Sequence, residues 1–142
     1  MISTSSFPRL ILHYHRVTSP ATAAYNCIAW AVGDTDNWWQ PGLHRPFVTH
    51  PFDDTVEELK RVFRTLGCEE CPAGNLEPGF EKVALFGVAD QYTHAARQLS
   101  EGKWTSKVGA EEDIEHESPD AVGGGIYGEV VLYMKRKQAT SI

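Results

Sequence analysis

The sequence predicts an α+β fold in which N-terminal helices pack on an antiparallel sheet. Two observations carry this prediction: the helical signals come first, and the extended segments then follow one another through short links. Helices followed by a run of strands are typical of α+β domains, whereas alternating helices and strands indicate a parallel sheet. The length of 142 residues fits one domain, which we divide into an N-terminal arm, 1–24, and a single α+β domain, 25–142.

Two segments carry the helical signals. The first is 25–32, with Asn26 as a plausible N-cap and Gly33 at its end. The second begins near Asp53 and has apolar residues at helical spacing until Gly67 ends it. Between the two helices, 34–51 is predicted as a long loop rich in tryptophan, proline and histidine. A loop of that length in a small domain is usually functional or held in place by its aromatic side chains.

The second half of the chain predicts the sheet. The segment 81–89 is apolar and fits a buried strand, and 127–136 fits a closing strand. Between them, 93–99 and 103–109 are separated by a short link that contains glycine, which predicts a hairpin. We interpret 110–125 as an acidic loop.

Composition and charge exclude several classes of protein. The net charge is −6, which argues against nucleic acid or an anionic membrane surface as a partner, because both need a basic footprint. No run of about 18 apolar residues is present, so no membrane span is predicted. The N-terminus lacks the basic and apolar regions of a cleavable signal peptide, and three cysteines cannot form a fully paired disulfide framework. We therefore expect a cytoplasmic protein, or one exported without a cleaved signal. The cysteine chemistry described below implies no metal or organic cofactor.

Cys27 is the candidate nucleophile. It lies in the first turn of the first predicted helix, where unpaired backbone N–H groups and the helix dipole stabilise a thiolate. Such a position lowers a cysteine pKa below the ordinary value of about 8.5. The alternative is that Cys27 fills the core, as most buried cysteines do.

A nucleophilic thiol needs a base, and His94 at the start of the predicted hairpin is the best candidate among the six histidines. A third polar group should orient its ring. If Leu99 pairs with Lys103 across the hairpin, Ser106 lies on the same face as His94. A link shorter by one residue puts Lys107 there instead. Asp113 in the following loop is a third choice, and chemically the most familiar one.

Three other features have a structural and a functional interpretation. Trp38 and Trp39 could line a substrate cleft or pin the long loop to the domain. His116 is either a hydrogen-bonding loop residue or a distal member of the site. The pair Cys68 and Cys71 forms a C-x-x-C motif without a second pair of ligands, so we interpret it as structural and not as a zinc site.

The motifs Tyr25-Asn26-Cys27-Ile28-Ala29-Trp30-Ala31, Thr93-His94-Ala95-Ala96-Arg97 and Trp104-Thr105-Ser106-Lys107-Val108-Gly109 resemble an uncharacterised bacterial domain family of unknown function. The order of cysteine helix, histidine strand and polar third member is also similar to compact papain-like enzymes of the NlpC type. That second resemblance implies a papain-like fold and a Cys–His site that cleaves or transfers at an amide.

These residues together predict a cysteine-dependent hydrolase, a peptidase or an amidase, or an acyl transferase with the same chemistry. Cys27 would attack the carbonyl, and Asn26, Trp38 and Trp39 would bind the peptide or amide substrate. The alternative hypothesis is a non-catalytic binding module, such as an immunity or adaptor protein or an inactive relative. In that case the tryptophans and the acidic surface would contact a protein partner.

Overall fold

The protein is described by a computed structural model that covers residues 7–9, 15–19, 31, 55–107 and 113–138. Its helices and strands, in chain order, are β1 (His15–Ser19), α1 (Val56–Thr65), β2 (Glu69–Cys71), β3 (Phe80–Val88), β4 (Gln91–Gln98), β5 (Trp104–Lys107), β6 (Asp113–His116), a 3₁₀ helix (Pro119–Val122) and β7 (Glu129–Lys137). None of the helices within these described ranges is long and apolar enough to cross a membrane.

The strands form one antiparallel sheet of seven, in the order β1-β6-β5-β4-β3-β7-β2. The prediction of an α+β fold with helices packed on a sheet is therefore wrong, and so is its papain-like leaning: the fold is mainly β. The predicted helix from Asp53 is confirmed as α1, and the strands predicted at 81–89, 93–99, 103–109 and 127–136 correspond to β3, β4, β5 and β7.

Three short strands were missed, and these change the fold class. β2 falls in a segment predicted as a turn, β6 in the predicted acidic loop, and β1 in the predicted N-terminal arm. β6 reads Asp-Ile-Glu-His, and all four of its residues are buried. A strand that is buried on both faces usually reads as a continuous apolar run, so a charged segment of this kind gives no strand signal.

One face of the sheet, here called the helix face, packs against α1. Thr55 caps α1 by accepting a hydrogen bond from the Glu58 amide at 3.2 Å, and Gly67 leaves the helix at φ 91°. The buried apolar residues of this face form one cluster: Ala31, Leu59, Val62, Phe63, Cys68, Val83, Leu85, Ala95 and Met134. Burial of the apolar stripe of α1 therefore holds the helix on the centre of the sheet.

The opposite face, here called the Tyr127 face, is covered by short segments among the residues that the structure describes. Its cluster consists of Phe7, Ala84, Phe86, Ala96, Trp104, Ile114, Ala121, Val122 and Tyr127. Residues alternate between the two faces along β3 and β4, as the pleat of a strand requires. His94 lies opposite Phe86 and therefore belongs to the Tyr127 face.

Candidate functional site

His94 lies in β4 just after a bulge. The pairing with β3 shifts there, since Phe86 lies opposite His94 while the next residue, Gly87, lies opposite Tyr92. The imidazole is 0% exposed. Its ring stacks on Tyr127 at 4.0 Å between centroids and 6° between planes, and the Phe86 ring meets it edge-on at 5.1 Å. Aromatic packing therefore fixes the plane of the His94 ring.

The β4–β5 hairpin sets which residue meets His94. The Leu99 amide donates to the Lys103 carbonyl at 2.6 Å, and Gly102 in the link has a φ of 102°. This is the register that places Ser106 on the Tyr127 face and Lys107 on the helix face. Nε2 of His94 lies 3.0 Å from the Ser106 hydroxyl oxygen.

His116 extends this contact into a chain of hydrogen bonds. β6 pairs with β5 so that His116 lies opposite Trp104 and on the Tyr127 face. Its Nε2 is 2.7 Å from the Ser106 hydroxyl oxygen, and its Nδ1 is 2.7 Å from the Ser118 carbonyl oxygen. His94, Ser106 and His116 are each 0% exposed, so the chain runs through the protein interior.

The Ser118 carbonyl determines the direction of every proton in this chain when both imidazoles are neutral. A carbonyl only accepts, so His116 Nδ1–H donates to it and His116 Nε2 is left as an acceptor. The Ser106 hydroxyl then donates to His116 and accepts from His94 Nε2–H. His94 Nδ1 is consequently the unprotonated nitrogen of its ring, with a lone pair to accept a proton.

No donor meets that lone pair in the described part of the chain. His94 Nδ1 is buried without a hydrogen-bond partner there. Leaving a buried polar atom unsatisfied costs about 1–3 kcal/mol, and such atoms are rare enough in folded proteins to call for an explanation. A proton acceptor held in one orientation is the form in which a histidine serves as a general base.

The environment also keeps the His94 ring uncharged. Its pKa is well below the ordinary value of 6.5, first because burial disfavours the imidazolium and second because His116 lies nearby. The described hydrogen bond of the His94 ring is to the Ser106 hydroxyl and not to a carboxylate. The orienting group is a neutral hydroxyl, which interacts with an imidazolium less strongly than a carboxylate does.

The other predicted site residues lie apart from this chain or outside the described ranges. Asp113 lies opposite Lys107 on the helix face, so the sheet separates it from His94. Cys27, Asn26, Trp38 and Trp39 lie outside the described residues. Ala31, four positions after Cys27, is buried in the cluster of the helix face.

Sequence reasoning missed two parts of this arrangement. Tyr127 was predicted to begin the closing strand. Its ring stacks on His94, and its carbonyl accepts a hydrogen bond from the Thr93 hydroxyl at 2.5 Å. No sequence pattern predicts either contact. The hydrogen-bond acceptor at Ser118 is its backbone carbonyl, which every residue has, so the residue type does not predict this contact. His116 was considered as a distal member, but its strand was not predicted, so its distance from Ser106 was not predicted either.

The C-x-x-C motif is divided between two elements. Cys68 follows α1 and is buried, which raises the pKa of its thiol to about 11, while Cys71 ends β2 and is partly exposed. A thiol with a raised pKa is a weak nucleophile at neutral pH. Within the described ranges, no group of three or more histidine, cysteine, aspartate or glutamate side chains is placed to hold a metal ion.

Comparison with known proteins identifies the family of the chain. A family model described as a domain of unknown function (DUF7689) matches residues 16–135. The chain belongs to this family. The match begins within β1 and ends within β7, so it includes residues from every strand of the sheet of this DUF7689 protein. Neither the curated proteins nor the solved structures contain a match to the chain.

Proposed function

We propose that this DUF7689 protein is a cysteine-dependent hydrolase of peptides or amides, or an acyl transferase with the same chemistry. Cys27 is its nucleophile and His94 its general base. The observation that carries the proposal is the series of hydrogen bonds from Ser118 to His94, because it leaves Nδ1 of a buried, aligned imidazole as a proton acceptor that no donor among the described residues meets. The candidate for the thiol is Cys27, which the sequence places in the first turn of a predicted helix, where a thiolate is stabilised.

In this mechanism the His94 ring does not need to reorient during the reaction. Nδ1 takes the thiol proton as Cys27 attacks the carbonyl, and it later protonates the leaving amine. His94 Nε2–H donates to Ser106 before and after that transfer, and Ser106 donates to His116 throughout. Ser106 and His116 are therefore positioning residues, while the Cys27 backbone N–H contributes to the oxyanion site.

Substrate binding and location follow from the same proposal. Asn26, Trp38 and Trp39 lie next to or shortly after the nucleophile in the chain, and we assign them to the substrate site. We place the protein in the cytoplasm, where free thiols such as Cys68 and Cys71 stay reduced.

The titration of the Cys27 thiol tests this proposal. In a C68S/C71S background, Cys27 is the only thiol, and its rate of alkylation by iodoacetamide is measured from pH 5 to pH 10. We expect its pKa to lie below the ordinary value of about 8.5 and to rise in H94Q, since the imidazole no longer accepts the proton. An ordinary pKa that H94Q leaves unchanged contradicts the proposal.

A second candidate, a non-catalytic binding module, is favoured by a different observation. His94 is solvent-excluded beneath Tyr127, and Ala31 packs on the opposite face of the sheet. In that interpretation the chain of hydrogen bonds specifies the core and no thiol reaches it. The same titration separates the two candidates, because Cys27 in a binding module titrates as an ordinary or buried thiol and is insensitive to His94.

A further inference from the structure

Within the described residues, the edge of β7 that faces β2 is paired along only part of its length. β3 pairs with β7 from Glu129 to Lys137, but β2 pairs only with residues 133–135 and ends at Cys71, before Pro72. Beside 129–132, no strand occupies this edge in the part of the chain that the structure describes. An unpaired edge presents backbone N–H and C=O groups to which an extended peptide can add as a further strand.

Two cavities flank this edge, one on each face of the sheet. A cavity of about 420 Å³ is lined by Cys71, Pro72, Asp120, Val130, Val131, Leu132 and Tyr133. A second cavity, of about 550 Å³, is lined by Thr55, Val56, Glu57, Ala89, Asp90 and Val131 at the start of α1. Val131 lines both and is 45% exposed. Because side chains of a strand alternate, a peptide added beside Val131 would direct neighbouring side chains into different cavities.

Val131 is also the extra residue of a bulge. Leu85 lies opposite Leu132 and Phe86 lies opposite Val130, so Val131 has no partner in β3. A bulge increases the local twist of an edge strand and so discourages unselective pairing between flat edges. A peptide that binds here must gain from the two cavities as well as from the backbone.

The charges around the two cavities select the kind of peptide. The residues that line the cavities include Asp120 on the Tyr127 face and Glu57 with Asp90 on the helix face, and no described basic residue lines either cavity. Arg9 lies close enough to Asp120 to interact with it, but its guanidinium is bonded to the Glu129 carboxylate at 2.8 Å, so carboxylates outnumber cations here as well. Glu57 has one nearby cation, Lys60 at 3.1 Å, and that cation also lies 2.6 Å from Glu70.

From this pattern we infer that the edge at Glu129–Leu132 binds an extended segment of a partner protein that carries two adjacent basic residues. The backbone of the segment pairs with β7, one basic side chain enters the cavity beside Asp120, and its neighbour enters the cavity beside Glu57 and Asp90. The inference does not depend on Cys27 or His94, so its outcome is separate from that of the proposed hydrolase.

Binding of a model peptide to the full chain tests this inference. The probe is a fluorescein-labelled peptide of sequence Thr-Val-Lys-Lys-Val-Thr. Its binding is measured at low salt from the fluorescence anisotropy of the label. We expect saturable binding that weakens at least tenfold when the backbone amides facing β7 are N-methylated, because methylation removes the donors and keeps the charge. Absence of binding, or equal binding of the methylated peptide, overturns the inference.

Two surface variants locate the site. V131K puts a charge on the exposed edge, and D120K reverses the charge of one cavity; each should weaken binding at least tenfold. E101K makes the same charge change as D120K on the exposed link between β4 and β5 and should leave binding unchanged. Equal urea midpoints establish that the variants are folded. If sedimentation shows a dimer of the chain that V131K dissociates, the occupant is a second copy and the inference is wrong.

Discussion

At the scale of single residues, the Ser106 hydroxyl connects two buried imidazoles that come from different strands. It lies 3.0 Å from His94 Nε2 and 2.7 Å from His116 Nε2, so one small side chain satisfies both nitrogens. Without it, both nitrogens lose their partner in an interior from which water is excluded. A buried polar network of this kind is stable only when it is complete.

Replacement of Ser106 by alanine should therefore destabilise the fold more than loss of one exposed hydroxyl. We expect S106A to lower the free energy of unfolding by about 1–3 kcal/mol, because it leaves buried nitrogens unsatisfied. Urea denaturation measures this change, and S100A serves as the control because Ser100 is exposed on the hairpin link. Equal unfolding free energies for S106A and S100A would show that the hydroxyl does not connect the two rings.

The lowered pKa of His94 predicts how stability depends on pH. Its pKa is below 6.5 in the folded protein, so the unfolded chain binds this proton more readily than the folded one does. The contribution of His94 is fully present above about pH 6.5 and is lost as the pH falls toward the folded pKa, at up to about 1.4 kcal/mol per pH unit.

Urea denaturation between pH 5 and pH 6.5 measures this dependence. In H94Q the slope of unfolding free energy against pH should be shallower than in the wild-type protein by up to about 1.4 kcal/mol per unit. The comparison removes the contribution of the histidines that do not interact with His94, whereas His116, which lowers the pKa of His94, is part of the measured difference. An identical slope would mean that His94 binds its proton equally well in the folded and unfolded states.

At the scale of elements, the link between β4 and β5 determines the partner of His94. The Leu99–Lys103 pairing across Ser100, Glu101 and Gly102 puts Ser106, not Lys107, on the Tyr127 face. Gly102 has a φ of 102°, a backbone conformation that side chains with a Cβ rarely adopt. A Cβ at this position would make only ordinary van der Waals contacts with Leu76, at 3.8 and 4.0 Å, so the constraint on this residue is conformational and not steric.

Alanine at position 102 should consequently cost stability through backbone strain alone. We expect G102A to lower the free energy of unfolding by about 1–3 kcal/mol, and G102N to cost less because asparagine tolerates positive φ better. Thermal or urea unfolding of the two variants measures the difference. If G102A is as stable as the wild-type protein, the link does not hold this conformation in solution.

The same scale shows what the sequence can predict. α1, β3 and β7 were predictable because their apolar residues follow the period of a helix or fill a buried strand, and β4 and β5 were predictable from the short glycine-containing link between them. The contact between Ser106 and His94 followed from one of two possible registers. β1, β2 and β6 could not be predicted, since they are three to five residues long and rich in charge, and their pairing depends on residues far away in the chain.

At the scale of the whole molecule, the sheet separates two polar regions. The hydrogen-bonded residues His94, Ser106 and His116 lie on the Tyr127 face. Their neighbours along β5 and β6 point to the other side of the sheet and are buried on the helix face: Lys107, Asp113 and Glu115. Ala31 also belongs to the helix face. The proposed hydrolase thus requires the thiol of Cys27 to reach the Tyr127 face, and the binding module does not.

The central claim is that the Ser118 carbonyl, through His116 and Ser106, fixes His94 with its proton on Nε2 and a lone pair on Nδ1. Long-range ¹H–¹⁵N correlation spectroscopy of the imidazoles at pH 7.5 tests it most directly. We predict that the His94 Nδ1 resonance has the shift of an unprotonated nitrogen and Nε2 that of a protonated one, and that S106A lets the two tautomers mix. A proton on Nδ1 of His94 in the wild-type protein would contradict the claim, because that tautomer has no lone pair for a thiol proton.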